Sequence, residues 1–303
     1  MFVCLNITLM RIASLIKLFV PPIFHILRKK LLFIHRSLVR GMLPQIEHSS
    51  ERMVIIGNGP SLKRTMEKYK KQISECDIIV VNEFGATDYY EALKPSIYVF
   101  ADPAYFTLPD NIKESVLSLF ENIVTKTTWR LHIIIPFSYK NSKCLEIFGQ
   151  NKNITIDCYY DGEQNIGNKT KFEAWDENLI APPAQTVLNT CIYLSIYWNY
   201  KEVFLVGADS SFLESLRIDQ ITNDIYINNS HFYQEEDVYS SDYYDASKGI
   251  KMEGWSLHNL IWAYGNMFKM YEELKEYADY KGVNIYNASE YSWINVFERK
   301  KLK

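Results

Sequence analysis

The sequence lacks the spacings that mark several common chemistries. Its five cysteines (Cys4, Cys76, Cys144, Cys158 and Cys191) contain no C-x-x-C pair and are odd in number. Neither a zinc site nor a disulfide-stapled scaffold is indicated, and a reduced, intracellular protein is expected. No D-x-D pair stands at the end of an apolar run, as a metal-dependent sugar transferase would show. Only six histidines are available as general bases. The net charge of -3 supplies no reason for a nucleic-acid partner. With 48% hydrophobic and 23% charged residues and no low-complexity run, the chain reads as folded and not as disordered. Its 303 residues allow one large domain or two smaller ones.

Acid is absent from the first forty residues, which carry seven Lys or Arg interleaved with apolar blocks. A spanning helix needs about 20 apolar residues in a row, whereas Arg11 and Lys17 interrupt this run and Pro21-Pro22 breaks it. No small-residue cleavage site follows, as a signal peptide requires. Residues 1–45 therefore read as a basic, apolar segment lying on an anionic cytoplasmic leaflet; the alternative is a helical cap buried on the main domain. The expected location is cytoplasmic, peripheral on the inner face of the membrane.

What the chain has in excess is aromatic: 22 Tyr, 16 Phe and 6 Trp make 15% of it. Such rings stack on sugars and bases, although packing in core and lid is the more economical reading.

From Met53 short apolar runs alternate with longer amphipathic segments, the mark of an α/β fold in which crossover helices flank a parallel sheet. "MVIIG", "DIIVVN", "SIYVFAD", "LHIIIP", "EVFLVGAD" and "VNIYNAS" read as strands, rich enough in Val and Ile to be covered on both faces. Segments 61–75, 110–125, 185–198 and 254–281 read as helices. Residues 210–256 have no strong periodicity and are long for a connection, so they read as a lid. Residues 46–303 are thus expected to form one domain.

Ligands of such sheets bind at the carboxyl ends of the strands. Those ends carry Gly57-Asn58-Gly59-Pro60-Ser61, Asn82-Glu83-Phe84, Ala101-Asp102-Pro103, Gly207-Ala208-Asp209-Ser210-Ser211 and Asn287-Ala288-Ser289. Turns use Asn, Asp and Gly for structural reasons too, but five polar ends in one sheet point to a site. In "IIGNGPSL", Gly57 and Gly59 let the backbone approach a ligand, and Ser61 is placed to cap the following helix. The helix amides then suit a phosphate or a ribose. The turn matches neither G-x-G-x-x-G nor a Walker loop, since no Gly-Lys-Ser or Gly-Lys-Thr follows. Of the histidines, His231 in "NNSHFY" and His258 in "GWSLHN" fall in or just after the lid, whereas His132 begins an apolar strand and reads as a core residue.

The ordered set "IIGNGPSL", "VVNEF", "ADPAYF", "YKEVFLVGAD", "NNSHFY" and "VNIYNASEYSWINVF" resembles the bacterial lipooligosaccharide sialyltransferases and their capsule and O-antigen relatives. The resemblance runs from about Met53 to Phe297. It implies a modified Rossmann-like domain with a lid closing over a CMP-activated acidic keto-sugar, inverting transfer to a glycan or glycolipid hydroxyl, and no metal or other cofactor. Homo-oligomers are common among such enzymes. Position by position, Asn58, Gly59 and Ser61 would hold the cytidine nucleotide, Asn82 would help orient the donor, and His231 would be the general base; Gly57, Asp209, Ser210 and Ser211, at the same strand ends, are further candidates for nucleotide or donor binding, the two serines standing where the lid tyrosines of those enzymes are expected.

The chain also departs from that pattern. Asp102 stands where those enzymes have an asparagine near the donor, and an ionised aspartate there would repel the donor carboxylate. The two lid tyrosines that steady the departing phosphate have no clean counterpart; Tyr226, Tyr233 and Arg217 are nearby substitutes. Gln185, Thr186 and Asn189 in "APPAQTVLNTCIYL" are candidates for contacting the sugar carboxylate, with helix capping by Thr186 as the structural alternative. Two other readings stay open: an ATP-dependent pterin diphosphokinase-like enzyme, with Asp102 and Asp209 serving magnesium, and a non-catalytic nucleotide-binding module.

Overall fold

A computed structural model describes residues 43–110, 113–161, 171–228, 239–240, 243–245, 250–252 and 256–303. Its centre is an eight-stranded sheet in the order β13-β12-β6-β1-β2-β3-β4-β5, with every neighbouring pair parallel. The strands are β1 (Arg52–Ile56), β2 (Asp77–Val81), β3 (Ile97–Val99), β4 (Leu131–Pro136), β5 (Ile154–Tyr159), β6 (Glu202–Val206), β12 (Asn284–Asn287) and β13 (Glu298–Arg299). All six strands read from the sequence are present. Parallel strands need crossovers, and the helices that supply them cover both faces.

Strand residues alternate strictly between the two faces. Met53, Ile55, Ile79, Val81, Val203 and Leu205 face one core, together with α6 (Val187–Tyr197) and α7 (Leu257–Lys281). Val54, Ile56, Ile78, Val80, Phe204 and Val206 face the other, together with α1 (Leu62–Ser74) and α4 (Lys113–Lys126). Of three short helices, α2 (Tyr89–Leu93) and α3 (Ala104–Thr107) pack into the second core and α5 (Lys171–Asp176) into the first. Residues Leu188 to Tyr197 of α6 are all buried, because α7 covers the side of α6 that the sheet does not, and a helix apolar all round must be enclosed. The chain enters the described region beside the end of α6, where Tyr197 donates to the Leu43 carbonyl at 3.1 Å and Trp198 to that of Pro44 at 2.9 Å. Helix α7 is stopped at both ends by its sequence: Ser256 Oγ accepts the Asn259 amide, and Gly282 takes the left-handed conformation at φ 70°.

Two strands of the central sheet escaped the sequence reading. In "ITIDCY" apolar and polar residues alternate, as fits a half-buried edge strand, whereas the central strands are continuous apolar runs. Strand β13 has two residues and no apolar signal. The 210–256 excursion contains short strands: β7 (Arg217–Ile218), β8 (Ile225–Asn228) and β9 (Tyr239–Ser240) form one antiparallel ribbon, and β10 (Tyr243–Asp245) pairs with β11 (Ile250–Met252). Residues 1–42, which include most of the basic segment, lie outside the described residues. Among the described residues no helix is long and apolar enough to cross a membrane.

Candidate functional site

From β1 the chain lays strands outward to β5, then returns to place β6 on the other flank of β1. Beyond these two exits the chain turns to opposite faces of the sheet, to α1 after β1 and towards α7 after β6, and a crevice opens where the two connections part, as at a reversal of strand order. A cavity of about 340 Å³ occupies it. Its floor is Gly57 to Pro60 after β1 and Gly207, Asp209, Ser210 and Ser211 after β6. Val81 and Asn82 form one wall, Thr186 to Leu188 at the start of α6 form the other, and Phe212, Glu214 and Ser215 form the rim. Phe212 stacks on Tyr264 of α7 at 5.3 Å, which fixes the rim to the helix layer.

The glycines of the opening turn answer to the protein before any ligand. The Gly57 amide donates to the Val206 carbonyl at 2.8 Å and the Gly59 amide to that of Gly207 at 2.9 Å. A Cβ on Gly57 would lie 2.5 Å from the Gly207 oxygen, and one on Gly59 would lie 2.3 Å from Asp209 Oδ1. Gly207 has φ +60°, and its own Cβ would meet the Gly57 oxygen at 2.6 Å. Three glycines thus let two strand exits touch, where the sequence suggested room for a ligand.

Ser61 is placed differently from the cap expected of it. Its hydroxyl makes no capping bond to α1; it donates to Asp209 Oδ1 at 2.5 Å, while its amide donates to Oδ2 at 2.9 Å. The aspartate that follows β6 thus occupies the amino end of α1, where it takes the amide of the N-cap residue, and a phosphate reaching for that amide would have to displace it. Burial holds the Asp209 carboxyl above its ordinary 3.8, against the opposing pull of the Ser61 bonds and of Arg64.

Asn58 is 6% exposed and lines the cavity. Its Nδ2 donates to the Val81 carbonyl at 3.2 Å, which fixes the amide, and its Oδ1 has no hydrogen-bond partner among the described residues. A buried acceptor without a donor is costly, so this atom asks for a ligand N–H or O–H. Asn82 and Ser210, which also line the cavity, have φ of 51° and 48°. Left-handed backbone at two non-glycine strand ends is a form of strain that concentrates at binding sites. Ser210 is steadied by a 3.3 Å contact with the Tyr271 hydroxyl.

Of the other candidates among the described residues, Thr186 alone reaches this cavity. Asp102 follows β3, two strands from β1, and its Oδ1 accepts the Ala104 amide at 2.8 Å. It is solvent-accessible at its edge, yet the protein around its carboxyl, and then Glu83, hold its pKa above 3.8. Asn189 is fully buried within α6; its Oδ1 accepts the Gln185 amide at 3.3 Å and its Nδ2 has no partner among the described residues. Thr186 does line the cavity and occupies the N-cap position of α6, but its side chain makes no capping bond. Arg217 lies over the Tyr226 ring at 5.5 Å on the β7–β8 ribbon, so these two substitutes for the phosphate-steadying tyrosines face each other and not the cavity floor. His231 and Tyr233 lie outside the described residues.

Sequence reasoning missed Val81, Val187, Leu188, Phe212, Glu214 and Ser215. The last three sit in "SSFLES", directly after the "GADSS" strand end, and its continuation into a tight turn was the available signal. Among the described residues no group of three His, Cys, Asp or Glu side chains stands close enough to hold a metal ion.

No protein-family model matches the chain, and no curated protein does either. Among solved structures it is similar to the MAf glycosyltransferase from Magnetospirillum magneticum AMB-1, with a TM-score of 0.47 and 14% sequence identity. That match covers 93% of this chain and 42% of the other, so the chain spans less than half the length of that protein.

Proposed function

We propose that the protein is a glycosyltransferase that moves a CMP-activated acidic keto-sugar, of the sialic-acid or Kdo type, onto a hydroxyl of a cell-surface glycan or glycolipid. The observation that carries this reading is Asn58 Oδ1, buried and without a hydrogen-bond partner among the described residues, in a cavity at the strand-order reversal. It belongs to the first of the six ordered motifs on which the resemblance rests. Asn58, Asn82 and Thr186 would line the donor site, with Ser210 and Ser211 opposite.

The chemistry this reading requires suits the residue types available. CMP leaves as a phosphate monoester, in which less charge must be stabilised than in a departing diphosphate, so hydrogen-bond donors suffice. The acceptor O–H gives its proton to a base, its oxygen forms the new bond to the anomeric carbon, and the bond to the CMP phosphate oxygen breaks with its electron pair. Attack from the opposite face inverts the centre. His231 is the base in this scheme. A peripheral site on the cytoplasmic leaflet, through the basic first forty residues, would bring the enzyme to lipid-linked acceptors.

The test is the melting temperature of the full-length chain with CMP, CDP, UDP, GDP and ATP, each in EDTA and in magnesium. Selective stabilisation by CMP in EDTA is expected. Stabilisation by ATP with magnesium alone would replace this reading with the diphosphokinase one, and binding of CMP without turnover on any acceptor would leave a nucleotide-binding module. His231→Ala is expected to abolish transfer from accepted CMP-sugars; unaltered transfer would remove His231 from the mechanism.

A further inference from the structure

The loop after β12 holds two aromatic rings beside the cavity that the donor site does not use. Tyr291 and Trp293 are 39% and 38% exposed. Their polar tips are already engaged: the Trp293 indole N–H donates to the Tyr291 hydroxyl at 3.0 Å, and that hydroxyl donates to Glu214 Oε2 at 2.8 Å. Glu214 in turn lines the cavity. What these residues leave open to solvent therefore includes ring surface, and the internal packing does not cover it.

Their support is rigid. The Trp293 amide donates to the Asp209 carbonyl at 2.8 Å, and Ser292 Oγ donates to that of Ala208 at 2.6 Å. Asn287 Nδ2 donates to Ser292 Oγ at 3.0 Å and to the Ile294 carbonyl at 2.9 Å. The rings are thus fixed to the β6 exit, one residue from Ser210 in the cavity floor, and little side-chain freedom is left to lose on binding.

We propose that Tyr291, Trp293 and Glu214 form a subsite for a neutral pyranose ring on the acceptor side of the cavity, an assignment that rests on the glycosyl-transfer reading above. A pyranose has a C–H face that packs on an aromatic ring, and its hydroxyls donate to a carboxylate at the ring edge. The Glu214 carboxylate repels anionic groups, so the charged parts of an acidic donor belong elsewhere in the cavity and an uncharged sugar fits here.

The test uses the full-length chain with ¹⁵N-labelled tryptophan, whose six indole signals include Trp293, assigned by loss of a signal in Trp293→Phe. The probes are the methyl glycosides of galactose, glucose, mannose, N-acetylglucosamine and N-acetylgalactosamine. At least one is expected to shift the Trp293 signal saturably, and Glu214→Ala is expected to raise its Kd about tenfold. Tyr291→Phe, which keeps the ring and removes only the hydroxyl, is expected to weaken the same sugar less. The subsite is overturned if no glycoside moves the signal, or if Glu214→Ala leaves the affinity unchanged. The CMP melting shift of the wild-type chain is measured alongside. CMP stabilisation without a glycoside response overturns the subsite alone; a glycoside response without CMP stabilisation keeps a sugar subsite and overturns the CMP-donor reading.

Discussion

Ser61 and Asp209, 148 residues apart, are joined twice, amide to Oδ2 at 2.9 Å and hydroxyl to Oδ1 at 2.5 Å. This clamp closes the β1 exit onto the β6 exit, and Trp293 ties the β12 exit to the same aspartate through its carbonyl. Three strand exits thus share one residue, and two of them line the cavity.

Removing that carboxylate leaves the buried Ser61 amide and hydroxyl without an acceptor. Asp209→Ala is expected to cost about 2 to 4 kcal/mol, at one unsatisfied group each, read as a lower urea midpoint with unchanged slope. Asp209→Asn, which keeps an acceptor for one of the two donors, is expected to cost less.

The pH dependence has a definite sign. Burial raises the folded-state pKa of Asp209 above 3.8, so between the two pKa values the native state binds more protons than the unfolded chain. The stability associated with the protonated carboxyl is full below the unfolded pKa and is lost as pH rises through the folded one. Wild type measured against Asp209→Asn from pH 3.5 upward should therefore show a difference that falls with pH and then levels. A difference that grows with pH would mean that the Ser61 bonds outweigh burial.

At Gly57 the added methyl of Gly57→Ala would press on backbone, 2.5 Å from the Gly207 oxygen and 3.1 Å from its carbon. Backbone cannot rotate away, so the strand exits must part. A loss of about 3 kcal/mol or more is expected from such overpacking. Gly149→Ala is the control, since nothing lies within 4 Å of a Cβ there.

Asn58→Ala separates stability from binding. It removes the 3.2 Å bond to the Val81 carbonyl and with it the buried Oδ1, which has no partner among the described residues, so a net change within about 1 kcal/mol is expected. The melting shift produced by CMP should nevertheless disappear. Retention of the full shift would show that Oδ1 does not receive a ligand donor.

Much of the scaffold is legible in the chain because its cause is local. Runs such as "MVIIG" and "EVFLVG" are continuous in Val, Ile and Leu, which only a strand covered on both faces accommodates, and their alternation with amphipathic segments implies parallel crossovers. Sites collect at the ends of such strands, and Gly57, Asn58, Gly59, Asn82, Thr186, Asp209, Ser210 and Ser211 do meet in one cavity. "ITIDCY" was illegible by the same rule, because an edge strand buries one side and lacks a continuous run.

Only the tertiary structure assigns these residues their partners. Sequence alone makes Gly59 a place for a ligand and Ser61 a helix cap, but long-range contacts give Gly59 the Asp209 carboxylate as its neighbour and make Ser61 the donor to it. The same long-range pairing turns Asn189 inward, leaves Asp102 two strands from β1, and brings Glu214 and Trp293 to one rim through Tyr291. Strand periodicity is set by neighbours along the chain, whereas the acceptor a hydroxyl finds, or the atom a missing Cβ makes room for, is set by which strand returns to lie beside β1.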